Sequence, residues 1–220
     1  MNIINGFFRL STLVCICCLF SSCFDFVEDI NIKSNGSGTI KATLNLSKSS
    51  TKVSSLLKLK SINGIKIPST QEIKSETEGM IRILKKTEGI SNVQYSLDFT
   101  NYIASVSCSF TSIDALNTFS KALGTHFKST LGNNNSYNYN VKTGQFTRSY
   151  RYSPSLSKEY AKISQTDQKY FDDAYYTQII RFDKTIKSQK HARAVFLKLK
   201  ATELINGTSS LGNTIILNNQ

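Results

Sequence analysis

Hydrophobic and polar residues alternate along two early stretches of the chain, at residues 30–46 and 93–110. This spacing of two is typical of strands with one buried face. A turn sequence interrupts each stretch, Asn-Gly-Ser-Gly at residues 35–38 and Thr-Asn at residues 100–101. We therefore predict a β-hairpin at each stretch.

Three other stretches have apolar residues three or four positions apart, at residues 53–60, 73–84 and 115–127. That spacing predicts amphipathic helices. Ser69 and Glu72 have the spacing of a capping box, and Gly89 supplies a C-terminal stop for the second helix. Ser112 is placed to cap the third.

The rest of the chain continues in short elements. Residues 137–152 are rich in tyrosine. They predict an aromatic hairpin that is more exposed than the two earlier hairpins. A short helix is predicted from Pro154 to Ile163, and strands at residues 176–182, 194–201 and 213–217. This order predicts an α+β fold, in which an antiparallel β-sheet formed from hairpins has helices packed on one face.

The first 22 residues predict a cleaved signal peptide, because an apolar run of eleven residues at 10–20 is too short to span a bilayer. The following sequence, Leu-Phe-Ser-Ser-Cys at residues 19–23, resembles the lipobox of bacterial lipoproteins. That resemblance implies that Cys23 becomes a diacylglyceryl-modified N-terminus. The alternative is a plain secretory signal with a coincidental cysteine.

Cysteine usage fits this interpretation. Three of the five cysteines lie in the signal peptide, so that Cys23 and Cys108 remain. With Cys23 acylated, no intramolecular disulfide can form. Cys108 alternates with Val106 and Phe110, which predicts a buried and unreactive thiol.

The residues after Cys23 bear on location. Phe24 stands where enterobacterial lipoproteins retained in the inner membrane have Asp, so the resemblance implies the outer membrane, on its periplasmic or surface face. Asp25, Glu28 and Asp29 look like a surface-export signal, but a solvated strand start is the interpretation we favour.

The mature chain divides into residues 23–131, with hairpin, two helices, hairpin and helix, and residues 132–220, a β-rich continuation of the same domain or a small appendage. Four features of the chain together resemble the LppM-type domain of bacterial lipoproteins. They are an acidic strand that enters a Gly-rich hairpin behind Cys23, a helix, the strand start at Gly89–Val93 and a late Asn-rich strand. The resemblance spans Phe26 to Asn218. It implies a membrane-anchored, non-enzymatic protein and assigns no site residues.

Charge adds one candidate surface. The chain has 27 Lys and Arg against 15 Asp and Glu, a formal net charge of +12, and residues 181–200 hold seven cations and one acid. The candidate residues for binding an anionic surface are Lys184, Lys187, Lys190, Arg193, Lys198 and Lys200. Such a surface fits anionic lipid, lipopolysaccharide phosphates or an envelope protein, and not nucleic acid. The alternative is the solvated face of an antiparallel strand.

The sequence predicts no catalytic residue, metal site or cofactor. His126 and His191 lack metal-ligand spacing, and Asp172 and Asp173 are adjacent and therefore diverge. Residues 207–214 lack the lysine of a phosphate-binding loop. We expect a non-enzymatic binding or assembly module. The alternatives are a carbohydrate-active or other hydrolase whose site forms only in the fold, and a hydrophobic-ligand carrier, which requires an apolar cavity of a few hundred Å³.

Overall fold

The computed structural model describes residues 24–62, 65–126, 135–190 and 195–218. The strands are β1 (Asp25–Ile32), β2 (Gly38–Asn45), β3 (Ser61–Ile62), β4 (Ile65–Lys66), β5 (Ile90–Asp98), β6 (Ile103–Phe110), β7 (Asn135–Asn140), β8 (Gln145–Tyr150), β9 (Tyr175–Phe182), β10 (Ile186–Gln189), β11 (Phe196–Lys200) and β12 (Asn213–Leu217). The helices are α1 (Ser50–Leu57), α2 (Thr70–Lys85), α3 (Ile113–His126), α4 (Pro154–Ala161), α5 (Gln165–Gln168) and α6 (Ala201–Ile205).

A six-stranded sheet in the order β11-β9-β1-β2-β6-β5 is the centre of the fold. Its neighbouring strands are antiparallel except for β1 and β9, which pair in parallel from Asp25 opposite Tyr175 to Ile32 opposite Phe182. The predicted α+β class, with a mainly antiparallel sheet, is confirmed. The parallel pair arises because β9 returns only after a long connection that includes other strands and helices.

One face of this sheet is the core. Even-numbered residues of β1, β2 and β6 point to it, and most of them, such as Ile30, Ile40 and Cys108, are buried. Helices α2 and α3 pack over the β5–β6 side, and a second sheet in the order β10-β12-β8-β7 contributes Phe146 and Ile215 to the same core cluster. The core therefore lies between the large sheet and a layer made of helices and a smaller sheet.

The N-terminal signal of α2 is realised as predicted, whereas the helix ends at Lys85, before the predicted stop at Gly89. The Ser69 hydroxyl accepts from the Glu72 backbone N–H, and the Glu72 carboxylate accepts from the Ser69 backbone N–H at 2.8 Å. This capping box begins α2 one residue later. Gly89 has φ of +76°, and a Cβ there would lie 2.9 Å from Ala115 Cβ, so glycine is required where the chain turns into β5.

The later strands differ from the prediction in two places. The aromatic hairpin, β7 and β8, is not exposed at its centre: Tyr137 and Phe146 are buried and stack at 6.0 Å between centroids, because they pack against the core face of the large sheet. Strand β10, which pairs with β12, lies outside the strands predicted for this part of the sequence.

Candidate functional site

An apolar cavity of about 310 Å³ lies at one end of the large sheet, between the sheet and helices α1 and α2. Its floor is one row of cross-strand neighbours. Phe26 of β1 pairs with Leu44 of β2, Leu44 with Ala104 of β6, and Ala104 with Leu97 of β5. Because these residues are in register, their side chains point to the same face and form a continuous apolar surface.

The two helices supply the opposite wall. Ile73, Thr77 and Met80 of α2 follow one another at helical spacing and line the cavity, and α1 contributes Val53 and Leu57. Only Met80 of these five is buried. The wall is therefore made of side chains that face a space rather than packed neighbours.

Two polar groups in the lining, those of Thr77 and Asp98, already hold hydrogen bonds within the protein. The Thr77 hydroxyl donates to the Ile73 carbonyl at 2.8 Å. Asp98 accepts from the backbone N–H of Thr100 and of Asn101, both at 2.9 Å, and the Asn101 bonds lower the pKa of its carboxyl. Asp98 is the sole carboxyl in the described lining, so the cavity lacks the pair of carboxylates that glycoside hydrolysis requires.

A buried ion pair lies between the two sheets. Arg148 of β8 and Glu28 of β1 are both buried, with Arg148 Nη1 3.0 Å from Glu28 Oε2. The Tyr176 hydroxyl donates to Glu28 Oε2 at 2.6 Å and accepts from Arg148 Nη2 at 2.7 Å. The Arg148 guanidinium also lies over the rings of Tyr137 and Tyr176, at 5.2 and 5.5 Å from their centroids.

These contacts identify the ion pair as a connection between the sheets. Burial raises the pKa of the Tyr176 hydroxyl, and the negative charge of Glu28 acts in the same direction. The expectation that Glu28 belongs to a solvated strand start is wrong, since Glu28 alternates with Phe26 and Ile30 on the core face. Arg148 likewise alternates with Phe146, and this period of two was the available signal for both residues.

Cys108 is buried, as predicted, with 3% of its surface exposed. Burial raises the pKa of its thiol to about 12. At pH 8 the reactive thiolate is therefore scarce, and we expect a thiol reagent to label Cys108 more than ~100-fold more slowly than an exposed cysteine.

The measurement is labelling kinetics in a chain whose other cysteines are replaced by serine. The matched control is Ser109→Cys in a Cys108→Ser background, because Ser109 is on the same strand and faces the other side. Equal labelling rates at positions 108 and 109 in the folded protein would show that the thiol is accessible.

The predicted basic segment is divided between the two sheets. Lys187 lies on β10 of the smaller sheet and is exposed, whereas Lys198 and Lys200 lie on edge strand β11 of the large sheet and are also exposed. Lys198 Nζ is 4.2 Å from the centroid of the Tyr175 ring. Lys184 is partly buried and Lys190 follows β10. Arg193 and Cys23 lie outside the described residues.

The cavity itself was not located from the sequence. Its lining comes from strands and helices between Phe26 and Val106, and their apolar spacing resembles that of ordinary core residues. Within the described ranges, no three His, Cys, Asp or Glu residues are grouped to hold a metal. No helix there has the length and apolar character to cross a bilayer.

Comparison with known proteins gives one structural similarity. No family model matches the chain, and the search of curated proteins finds no significant match. Acylation of Cys23 stays a prediction. The chain is similar to the NMR structure of the folded domain of the Mycobacterium tuberculosis LppM protein, with a TM-score of 0.42 and 16% sequence identity over 90% of this chain and 92% of the other.

Proposed function

We propose that this protein is a lipid-anchored, non-enzymatic binding protein of the bacterial cell envelope that holds one apolar chain of a ligand in the cavity beneath α1 and α2. The observation that carries the proposal is the apolar cavity itself. A volume of about 310 Å³ lies at the lower end of the range of ligand pockets, which is ~300–1,000 Å³.

The cavity volume limits the ligand. A methylene group occupies about as much space as a water molecule in the liquid, ~30 Å³, so the cavity accommodates roughly ten methylenes. This matches a single acyl chain or a comparable hydrocarbon group.

The chemistry of the lining supports the same class of ligand. Each methylene moved from water into such a cavity contributes about 0.8 kcal/mol. Because Thr77 and Asp98 are engaged in hydrogen bonds within the protein, they are not available to select a polar substrate. Binding is then driven by burial of apolar surface, and no chemical step is required.

The anchoring part of the proposal is supported by the lipobox-like sequence before Cys23. The described chain begins at Phe24 and enters β1 one residue later, so an acyl group on Cys23 would attach almost directly to the sheet. The outer membrane is the location that the residue after Cys23 favours.

A cavity-filling variant tests the binding function. Ala104→Phe places an aromatic ring in the row that forms the floor, and we expect it to weaken binding of the apolar fluorophore 1-N-phenylnaphthylamine more than tenfold. Loss of the apolar contact of about two methylene groups weakens the binding free energy by about 1.6 kcal/mol. A change of about 1.4 kcal/mol corresponds to a tenfold change in the dissociation constant. The measurement is a fluorescence titration, with palmitate as competitor.

The matched control is Ser107→Phe, which adds the same ring to the same strand on the opposite face. It should bind the fluorophore as the wild type does, and the circular dichroism spectra of both variants should match the wild type. Undiminished binding by a folded Ala104→Phe variant would exclude this cavity as the site.

A further inference from the structure

The residues around α1 form a second basic segment, separate from residues 181–200. From residue 30 to residue 71 the chain contains seven lysines and no acidic residue. Five of these lysines fall between residues 47 and 66, namely Lys48, Lys52, Lys58, Lys60 and Lys66. The absence of acidic residues over this stretch is the sequence feature from which the basic segment could have been predicted.

Most of residues 47–60, here called the α1 segment, lie on the surface of the protein, although Ser49 and the Lys52 amino group are buried. Helix α1 contains no buried residue. Directly after it, Lys58, Leu59 and Lys60 are all exposed, and Leu59 has 48% of its surface in contact with solvent. An exposed leucine between two exposed lysines combines an apolar tip with positive charge.

The α1 segment is also tied to the start of the sheet. Lys48 Nζ lies 3.3 Å from the Asp25 carboxylate, in the first residue of β1. Asp25 is two residues after Cys23, a distance that an extended chain spans in at most about 7 Å. The α1 segment therefore lies at the end of the molecule where the chain leads to Cys23.

The same segment forms a wall of the cavity through Val53 and Leu57. Three features thus coincide at one end of the fold: the chain leading to Cys23, the basic α1 segment and the apolar cavity. A ligand chain passing from a bilayer into the cavity has its shortest route along such a surface.

We infer that the α1 segment docks on the anionic surface of a lipid bilayer, with Lys58 and Lys60 at the level of the lipid phosphates and Leu59 in the interfacial region. Amphipathic basic segments bind bilayers in this way, by apolar insertion together with attraction to anionic headgroups. The exposed leucine favours a lipid surface over an acidic protein, for which charge alone would suffice. The inference rests on the proposed anchoring for its orientation toward the membrane.

The chain contains no tryptophan, so a single tryptophan reports on one position. We expect Leu59→Trp, in the acylated full-length protein reconstituted into vesicles containing phosphatidylglycerol, to show blue-shifted emission and strong quenching by brominated lipid. The signal should be lost when Lys58→Gln and Lys60→Gln are added. It should also be lost at ~1 M salt, where the Debye length falls to about 3 Å.

The matched control is Phe196→Trp, which replaces an exposed aromatic residue next to Lys198 on β11. Emission at this position should be unchanged by the vesicles. Quenching of Phe196→Trp without quenching of Leu59→Trp would overturn the inference and assign docking to the β11 surface. Equal quenching of Leu59→Trp in neutral phosphatidylcholine vesicles would also overturn it, because tethering alone would then explain the proximity.

Absence of quenching at position 59 in anionic vesicles would overturn the inference in favour of an acidic protein as the counterpart. Two variants separate this result from failure of the proposed function. Leu59→Trp combined with Cys23→Ala, added to the same vesicles, should still be quenched in the absence of acylation. Leu59→Trp combined with Ala104→Phe should be quenched with the cavity filled.

Discussion

Replacing Arg148 by methionine is expected to lower the free energy of unfolding by about 3–5 kcal/mol, because it leaves the Glu28 carboxylate buried without its cation. The substitution keeps much of the side-chain volume, so that loss of charge and hydrogen bonds dominates over loss of packing. It also removes the donor to the Tyr176 hydroxyl and the cation that lies over two tyrosine rings. Urea denaturation of wild type and variant measures the difference.

Two further variants test whether loss of the buried ion pair causes this destabilisation. Arg181→Met removes the partner of Asp29 in an ion pair of which both members are partly exposed, and it should cost no more than about 1 kcal/mol. Adding Glu28→Gln to Arg148→Met should recover part of the stability, because a neutral amide is less costly to bury than a carboxylate. If Arg148→Met is no more destabilising than Arg181→Met, the buried pair does not stabilise the contact between the sheets.

Replacing Cys23 by alanine is expected to move the protein from the membrane fraction to the soluble fraction almost completely when the membranes are washed at ~1 M salt, which screens electrostatic docking through the α1 segment. Acyl chains bind the bilayer at about 0.8 kcal/mol per buried methylene, and a thioether-linked diacylglyceryl group cannot form on alanine. Fractionation followed by immunoblotting measures the distribution. Intact-mass analysis of the wild type should show loss of residues 1–22 and a gain of lipid mass.

The control is Cys108→Ala, which leaves the proposed acylation site in place and should remain in the membrane fraction. An unmodified wild-type N-terminus at any residue other than Cys23 would exclude lipoprotein processing. The same result would favour the plain secretory signal that the sequence left open.

Local elements were largely predictable because their signals are local. The capping box at Ser69 and Glu72 and the alternation through Cys108 each depend on a few neighbouring residues, and each has the predicted outcome. Tyr102 is a small exception. It was placed on the return strand but lies in the turn with φ of +56°, a conformation that no hydrophobic pattern reveals.

The arrangement of these elements was less predictable. Pairing of β1 with β9 joins residues about 150 positions apart, and a strand's own sequence does not name its neighbour. The second sheet buries Tyr137 and Arg148 by packing on the first, so their burial followed from tertiary structure rather than composition. The cavity is invisible in the sequence for the same reason, since Ala104 has the same alternation whether a helix or a space lies above it.

The central position of β1 has a mechanical consequence. β1 is bonded along its length to β2 on one side and to β9 on the other. A pull on the N-terminal end, such as a tether at Cys23 would exert, acts along the strand axis. Inter-strand hydrogen bonds run across that axis. The hydrogen bonds of β1 to β2 and of β1 to β9 are therefore loaded together in shear and must break together. A tether at Cys23 would thus pull on the strand that the sheet holds from both sides, an arrangement that suits a domain under force.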